Sequence, residues 1–244
     1  MLTLLARWLL GTALVSWRYM WTTTPLHRRE EAADRDHDLP PVIPEELLDE
    51  RVSLAAGGVG PLFHRRFWVN IAGSRLSRDE LLSAVLDSFH RFVPREVVGI
   101  RREGTGPLQL GEEFVVAMPG PWDGPVRVVQ ADEGCLRLAT LSGHLEAGQV
   151  RFRAYPDSEL LVFEVEVWAR CATPAVRLLY ARLRLAKEVQ LNMWVRFCLS
   201  AVKASQGRLV DGVHISTRTM PEGAIPITPG TPPRVSNRLG GGVR

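Results

Sequence analysis

Residues 174–206 read PAVRLLYARLRLAKEVQLNMWVRFCLSAVKASQ, and this stretch decides the fold. It contains no proline after Pro174 and no glycine before Gly207. Leu179, Leu183, Ala186, Gln190, Met193, Phe197 and Ala201 recur every three or four positions, the spacing of one helix face. Arg177, Arg184, Lys187, Glu188 and Arg196 lie mostly off that stripe, as a solvated face would. A helix of roughly 30 residues far exceeds the average for a globular protein and needs a large surface to cover.

The preceding residues supply that surface. From residue 96 the apolar period changes from 3.6 to 2, and strands are expected at 96–101, 113–118, 125–130, 135–141, 150–154 and 160–170. Short Gly- or Pro-bearing connections such as Gly104-Thr105-Gly106, Pro119-Gly120-Pro121 and Tyr155-Pro156-Asp157 favour antiparallel hairpins. An earlier strand is read at 62–71, where Phe67, Val69 and Ile71 alternate with Arg66, Trp68 and Asn70. Ser77 and Glu80 form a capping-box signature for a helix carrying Leu81, Leu82, Val85, Leu86, Phe89 and Phe92, closed by Pro94. The expected class is α+β: a curved antiparallel sheet of about seven strands around a long C-terminal helix.

Outside 57–219 the pattern weakens. Residues 1–21 are apolar, but only ten uncharged residues separate Arg7 from Arg18, about half of a bilayer core, and no small-residue cleavage pattern follows. A helix docked on the domain and an interfacial helix touching a membrane peripherally are the two placements this leaves. Residues 22–56 are charged and Pro-bearing and read as a linker or extended arm, with ordered structure resuming near Gly57. A last strand at 213–218 precedes a Pro/Gly-rich tail over 220–244, expected to be disordered.

The chain has 244 residues and a formal charge of +3, with scattered arginines rather than a basic block interleaved with aromatics, so nucleic acid is not the expected partner. Cys135, Cys171 and Cys198 are odd in number, lack CxxC spacing and sit in apolar segments, which predicts reduced thiols and a cytoplasmic setting, with membrane association left open by the N-terminus. The six histidines show no HxH, HxxH or HExxH pattern, so no metal site is expected. No phosphate-cradling glycine loop, dinucleotide fingerprint or GxSxG elbow is present, so no cofactor is expected either.

Four blocks carry a resemblance: VGPLFHRRF (59–67), MPGPWDGPVRVV (118–129), LATLSGHLEAGQVRFRA (138–154) and RLRLAKEVQLNMW (182–194). They are similar to blocks of a bacterial and plant family known as domain of unknown function 1990, within the Bet v 1-like or START-like (SRPBCC) helix-grip superfamily. The segment from Gly143 to Gly148 resembles that family's Gly-His-Pro-Glu-x-Gly block, with Leu145 in place of the proline and Gln149 where an acid is common. The resemblance spans about residues 57–207 and implies the helix-grip fold. It implies no reaction.

The polar residues on otherwise apolar elements define the candidate site. Gln190 interrupts the apolar helix stripe, and a buried amide needs a partner in the protein or in a ligand. Met193, Trp194 and Phe197 would wall a cavity between helix and sheet, although residues at this spacing also make plain core. Trp122, in the Gly/Pro-rich connection, and His144 with Glu146, one residue apart in the next loop, would stand at its mouth. Binding of a small apolar molecule or lipid follows from that arrangement. The alternatives are an enzyme using His144 and Glu146 as an acid/base pair, and an interaction domain with a solid core.

Overall fold

The computed structural model describes residues 24–34, 37–95, 98–117, 123–132, 134–176 and 184–224, with only the backbone for 184–190. Nine strands form one sheet: β1 (Leu26–Ala32), β2 (Val59–Ala72), β3 (Gly99–Arg101), β4 (Glu113–Ala117), β5 (Asp123–Asp132), β6 (Cys135–Thr140), β7 (Glu146–Asp157), β8 (Leu160–Cys171) and β9 (Arg208–Met220). Their order is β1-β9-β2-β8-β7-β6-β5-β4-β3. Helix α1 (Arg78–Phe92) follows β2, and α2 (Arg184–Ser205) precedes β9. Strands β3 to β8 form a hairpin meander, and β2 closes onto β8 while β9 adds outside β2.

The sheet is larger than the seven antiparallel strands expected, and it is mixed. All pairs are antiparallel except β1 with β9, which are parallel. The sequence LHRREEA hides β1 because it is charged and almost wholly exposed, which is how an edge strand is protected against pairing with another chain. Alternation, the usual strand signal, requires one buried face, and β1 has none.

Alternation on β2 sends Phe67, Val69 and Ile71 to the helix side, with Phe163, Val165 and Val167 of β8 and Phe152 of β7 beside them. Leu81, Leu82, Val85, Phe89 and Phe92 of α1 and Trp194, Phe197, Cys198 and Ala201 of α2 complete that core. The capping box at Ser77 is formed, with the Ser77 side chain accepting from the Glu80 backbone N–H and the Glu80 carboxylate accepting from that of Ser77. The buried face of α2 runs through Trp194, Phe197, Cys198 and Ala201, so it is rotated from the expected line through Met193, which is half-buried. The helix is described from Arg184 to Ser205, and 174–176 are also helical, while 177–183 of the expected continuous helix lie outside the described residues.

Ordered structure begins well before Gly57. Residues 38–55 cross the sheet face opposite the helices, where Ile43 packs on Val129 and Ala139. Side chains of the sheet donate to this segment's carbonyls: Arg137 to Val42 at 3.1 Å, Gln149 to Pro41 at 3.0 Å and Arg127 to Leu47 at 2.9 Å. Held by its backbone oxygens, the segment needs no apolar period, which is why it reads as a linker. The chain beyond 219 is also ordered at first: Met220 is buried, Glu222–Ala224 form a 3₁₀ turn, and Glu222 pairs with Arg170.

Cys135, Cys171 and Cys198 are thiols rather than half-cystines. Among the described residues no helix is long and apolar enough to cross a membrane, which says nothing of a β-barrel.

Candidate functional site

The expected site lies where α2 meets the sheet. Phe197 stands at its centre, with ring centroids 4.8 Å from Phe152, 5.4 Å from both Phe89 and Phe92, and 6.0 Å from Phe163. Trp194 flanks it, 6.2 Å from Phe197 and 5.7 Å from Phe152. Around Phe197 the space is therefore filled by aromatic side chains. The exception is polar: Trp194 is buried, and its indole Nε1 finds no hydrogen-bond partner among the described residues. A buried donor left without an acceptor costs on the order of 1–3 kcal/mol.

Gln190 lies on the α2 backbone four residues before Trp194, and its side chain is outside what is described. Trp122 is likewise outside the described residues. The register brings the ends of β5, β6, β7 and β8 together at one end of the sheet, since Val126 pairs with Thr140 and Glu146 pairs with Cys171. The β6–β7 turn, with His144, is therefore at the same end as the connection after β8, and the Ala172 N–H donates to the Leu145 carbonyl there.

His144 is engaged in shaping that turn. Its Nδ1 accepts the backbone N–H of Glu146 at 2.9 Å. Burial pushes the imidazole down to about 4, against the weaker opposing effect of its bond to Glu146, so the ring is neutral at pH 7. What joins His144 to Glu146 is thus the Glu146 backbone, and the Nδ1 lone pair is already used. Gly148, later in the same block, has a physical reason to be glycine: its φ is +154°, and a Cβ would lie 1.8 Å from the Trp168 carbonyl oxygen.

A second polar constellation lies on the sheet's opposite face. His64 sits between two carboxylates, Nδ1 at 2.6 Å from Asp38 and Nε2 at 2.7 Å from Glu166, all three buried. Arg151 binds the other oxygen of Glu166, Arg218 reaches Asp38 at 3.2 Å, and the Asp34 N–H donates to Asp38 at 2.6 Å. His64 stacks on Trp168, centroids 5.0 Å apart. Beside it the fully buried Glu164 takes Arg66 and Arg153. Burial works to raise the Glu166 pKa, but His64 and Arg151 outweigh it and hold the carboxyl at about 2. Each ring nitrogen of His64 and each oxygen of Glu166 and Asp38 has a partner within the protein, so this cluster fastens Asp34 and Asp38 to the sheet. The signal was present in β8, where Glu164 and Glu166 alternate with Phe163 and Val165 and so share a face.

A helix held across one face of a large sheet, with the chain's polar network relegated to the other face, defines an α+β protein of helix-grip architecture. The chain belongs to the family described as a domain of unknown function (DUF1990), whose model matches residues 64–212. No curated protein matches the sequence. Among solved structures, likenesses include major latex-like protein 151 of Panax ginseng, 12% identical, with 59% of this chain and 98% of that one covered and a TM-score of 0.39. The di-domain ARO/CYC StfQ from the steffimycin biosynthetic pathway is 11% identical, with 59% and 51% covered and a TM-score of 0.45. A hypothetical protein from Helicobacter pylori is 14% identical, with 57% and 87% covered and a TM-score of 0.41.

Proposed function

We propose that this protein binds a small, largely apolar molecule, a lipid or another compound with one hydrogen-bond acceptor, between the sheet and α2. The observation that carries the reading is the buried Trp194 Nε1, a donor without an acceptor among the described residues, in an aromatic setting. Ligand sites of this kind are mostly apolar with a few placed polar groups. Gln190 is the second proposed polar contact, with Met193 and Phe197 as walls and Trp122, His144 and Glu146 at the mouth. Binding is favoured over proton transfer because the Nδ1 of His144 is engaged by the backbone N–H of Glu146.

Native mass spectrometry of the full chain purified without detergent tests this, with Trp194→Phe as the paired variant. The expected result is a co-purified small molecule on the wild type and weaker retention by the variant, which keeps the ring and loses only the N–H. A wild type that is empty and takes up no fluorescent fatty-acid probe would sink the proposal. Equal retention by both proteins would remove Trp194 from the site.

A further inference from the structure

Three side chains from the two ends of the described chain meet at the β1 edge. Parallel pairing sets His27 directly opposite His214, and the two imidazoles stack with centroids 4.8 Å apart. Trp68 covers the other side of His214 at 5.0 Å, making a column of three rings that orients the histidine edges. Asp211 reaches the same place by a defect in β9. The register with β2 shifts between Val69 and Asn70, and Asp211 and Gly212 take φ values of +58° and +78°. The bulge is locked against Pro25, whose carbonyl accepts the Val213 N–H at 2.9 Å and would lie 2.3 Å from any Cβ at Gly212. It turns the Asp211 carboxylate toward both rings, Oδ1 3.3 Å from His27 Nε2 and Oδ2 3.8 Å from His214 Nε2.

We propose that His27, Asp211 and His214 bind a divalent transition-metal ion of the zinc class. Two imidazoles and one carboxylate are a donor set for such ions, and three protein ligands leave a fourth position for water or another oxygen donor. With bonds of about 2 Å, neighbouring ligand atoms in a tetrahedral site lie roughly 3.3 Å apart. The three ligand atoms all lie within 4.8 Å of one another, and the His27–Asp211 edge already has that length. Rotation of the exposed His27 ring draws in the rest. The His214 Nε2 atom is itself buried and has no hydrogen-bond partner among the described residues, so a ligating atom stands ready beside the carboxylate.

Two of the three ligands, His27 and His214, fall outside the 64–212 span that the family model matches. No local histidine motif announces it, because the pairing of β1 with β9 creates it. A bound ion would clip the edge strand to the sheet.

The test is calorimetric titration of zinc into the full-length protein after chelator treatment, with cobalt(II) absorption as evidence of inner-sphere ligation. One ion per chain is expected, with a rise in melting temperature. Loss of an outer-shell partner alone costs about 10–100-fold in affinity, so His27→Ala, Asp211→Asn and His214→Ala should each weaken binding at least about tenfold. His90→Ala, on the exposed side of α1, should not. His27 is an exposed edge residue, so His27→Ala keeps the fold, and circular dichroism checks this for all four variants. A wild type that binds no zinc would overturn the site, and so would zinc binding with unchanged affinity in His27→Ala and Asp211→Asn.

Discussion

Glu166 shows how single residues set the conditions under which this protein is stable. Its carboxyl titrates at about 2 in the fold against an ordinary 4.5, so the charged form is favoured in the native state. That stabilisation is complete above 4.5 and is lost as pH falls toward 2. His144 acts earlier in the same direction: its folded value of about 4 lies below the ordinary 6.5, so acidification from 6.5 downward favours the unfolded chain, in which the ring can protonate. Acid unfolding should therefore begin near pH 6 and steepen below 4.5. At pH 7 Glu166→Gln strands Arg151 and one side of His64 and should cost roughly 3–5 kcal/mol in urea unfolding, with a flatter acid limb. A variant as stable as the wild type would mean that the cluster tightens nothing. The pairing of Glu164 and Glu166 on one face was legible in β8 from alternation alone. Their partners were not, because Asp38 comes from a segment with no strand pattern and Arg151 from a strand whose register no local signal sets.

Among the elements, the strands with a buried face were legible, and so was the edge strand β3, expected within 96–101, whereas the charged edge strand β1 was not. Tyr155-Pro156-Asp157 reads as a turn but belongs to β7, and the chain reverses at Ser158-Glu159, where Ser158 has a φ of +56°. Proline is tolerated there because β7 has no β6 partner beyond Arg153. Two substitutions separate the local from the long-range contributions. Ser77→Ala removes one reciprocal cap from α1 and should cost about 1 kcal/mol. Gly148→Ala forces a Cβ against the Trp168 carbonyl near the start of β7 and should cost more, on the order of 2–3 kcal/mol, with a lower denaturation midpoint and unchanged slope. The opposite ranking would mean that β7 adapts by shifting its register.

At the scale of the whole molecule, both faces of the sheet are occupied, by α1 and α2 on one side and by residues 38–55 over part of the other. Burial pushes the Cys198 thiol far up and the Cys135 thiol up to about 11. Native alkylation should therefore spare Cys198, while denatured, non-reduced protein should titrate three thiols.

Residues 1–21 lie outside the described structure, and their sequence proposes an apolar helix docked on the domain. The part of the sheet's outer face that the described residues leave open is charged, with Arg66 and Arg153 half-exposed beside Tyr155 and Trp68. Amphipathic arginine and aromatic surfaces of this kind can receive an apolar segment along their stems and rings. If residues 1–21 dock, their deletion exposes apolar area, so the truncated chain should melt at a lower temperature and aggregate, and the intact chain should not float with liposomes. If instead they form an interfacial helix, the truncated chain keeps its melting temperature and only the intact chain floats, most strongly with anionic lipid because Arg7 and Arg18 flank the apolar core. We expect the first pair of results. Flotation that depends on residues 1–21, with unchanged melting, would assign the segment to the membrane surface.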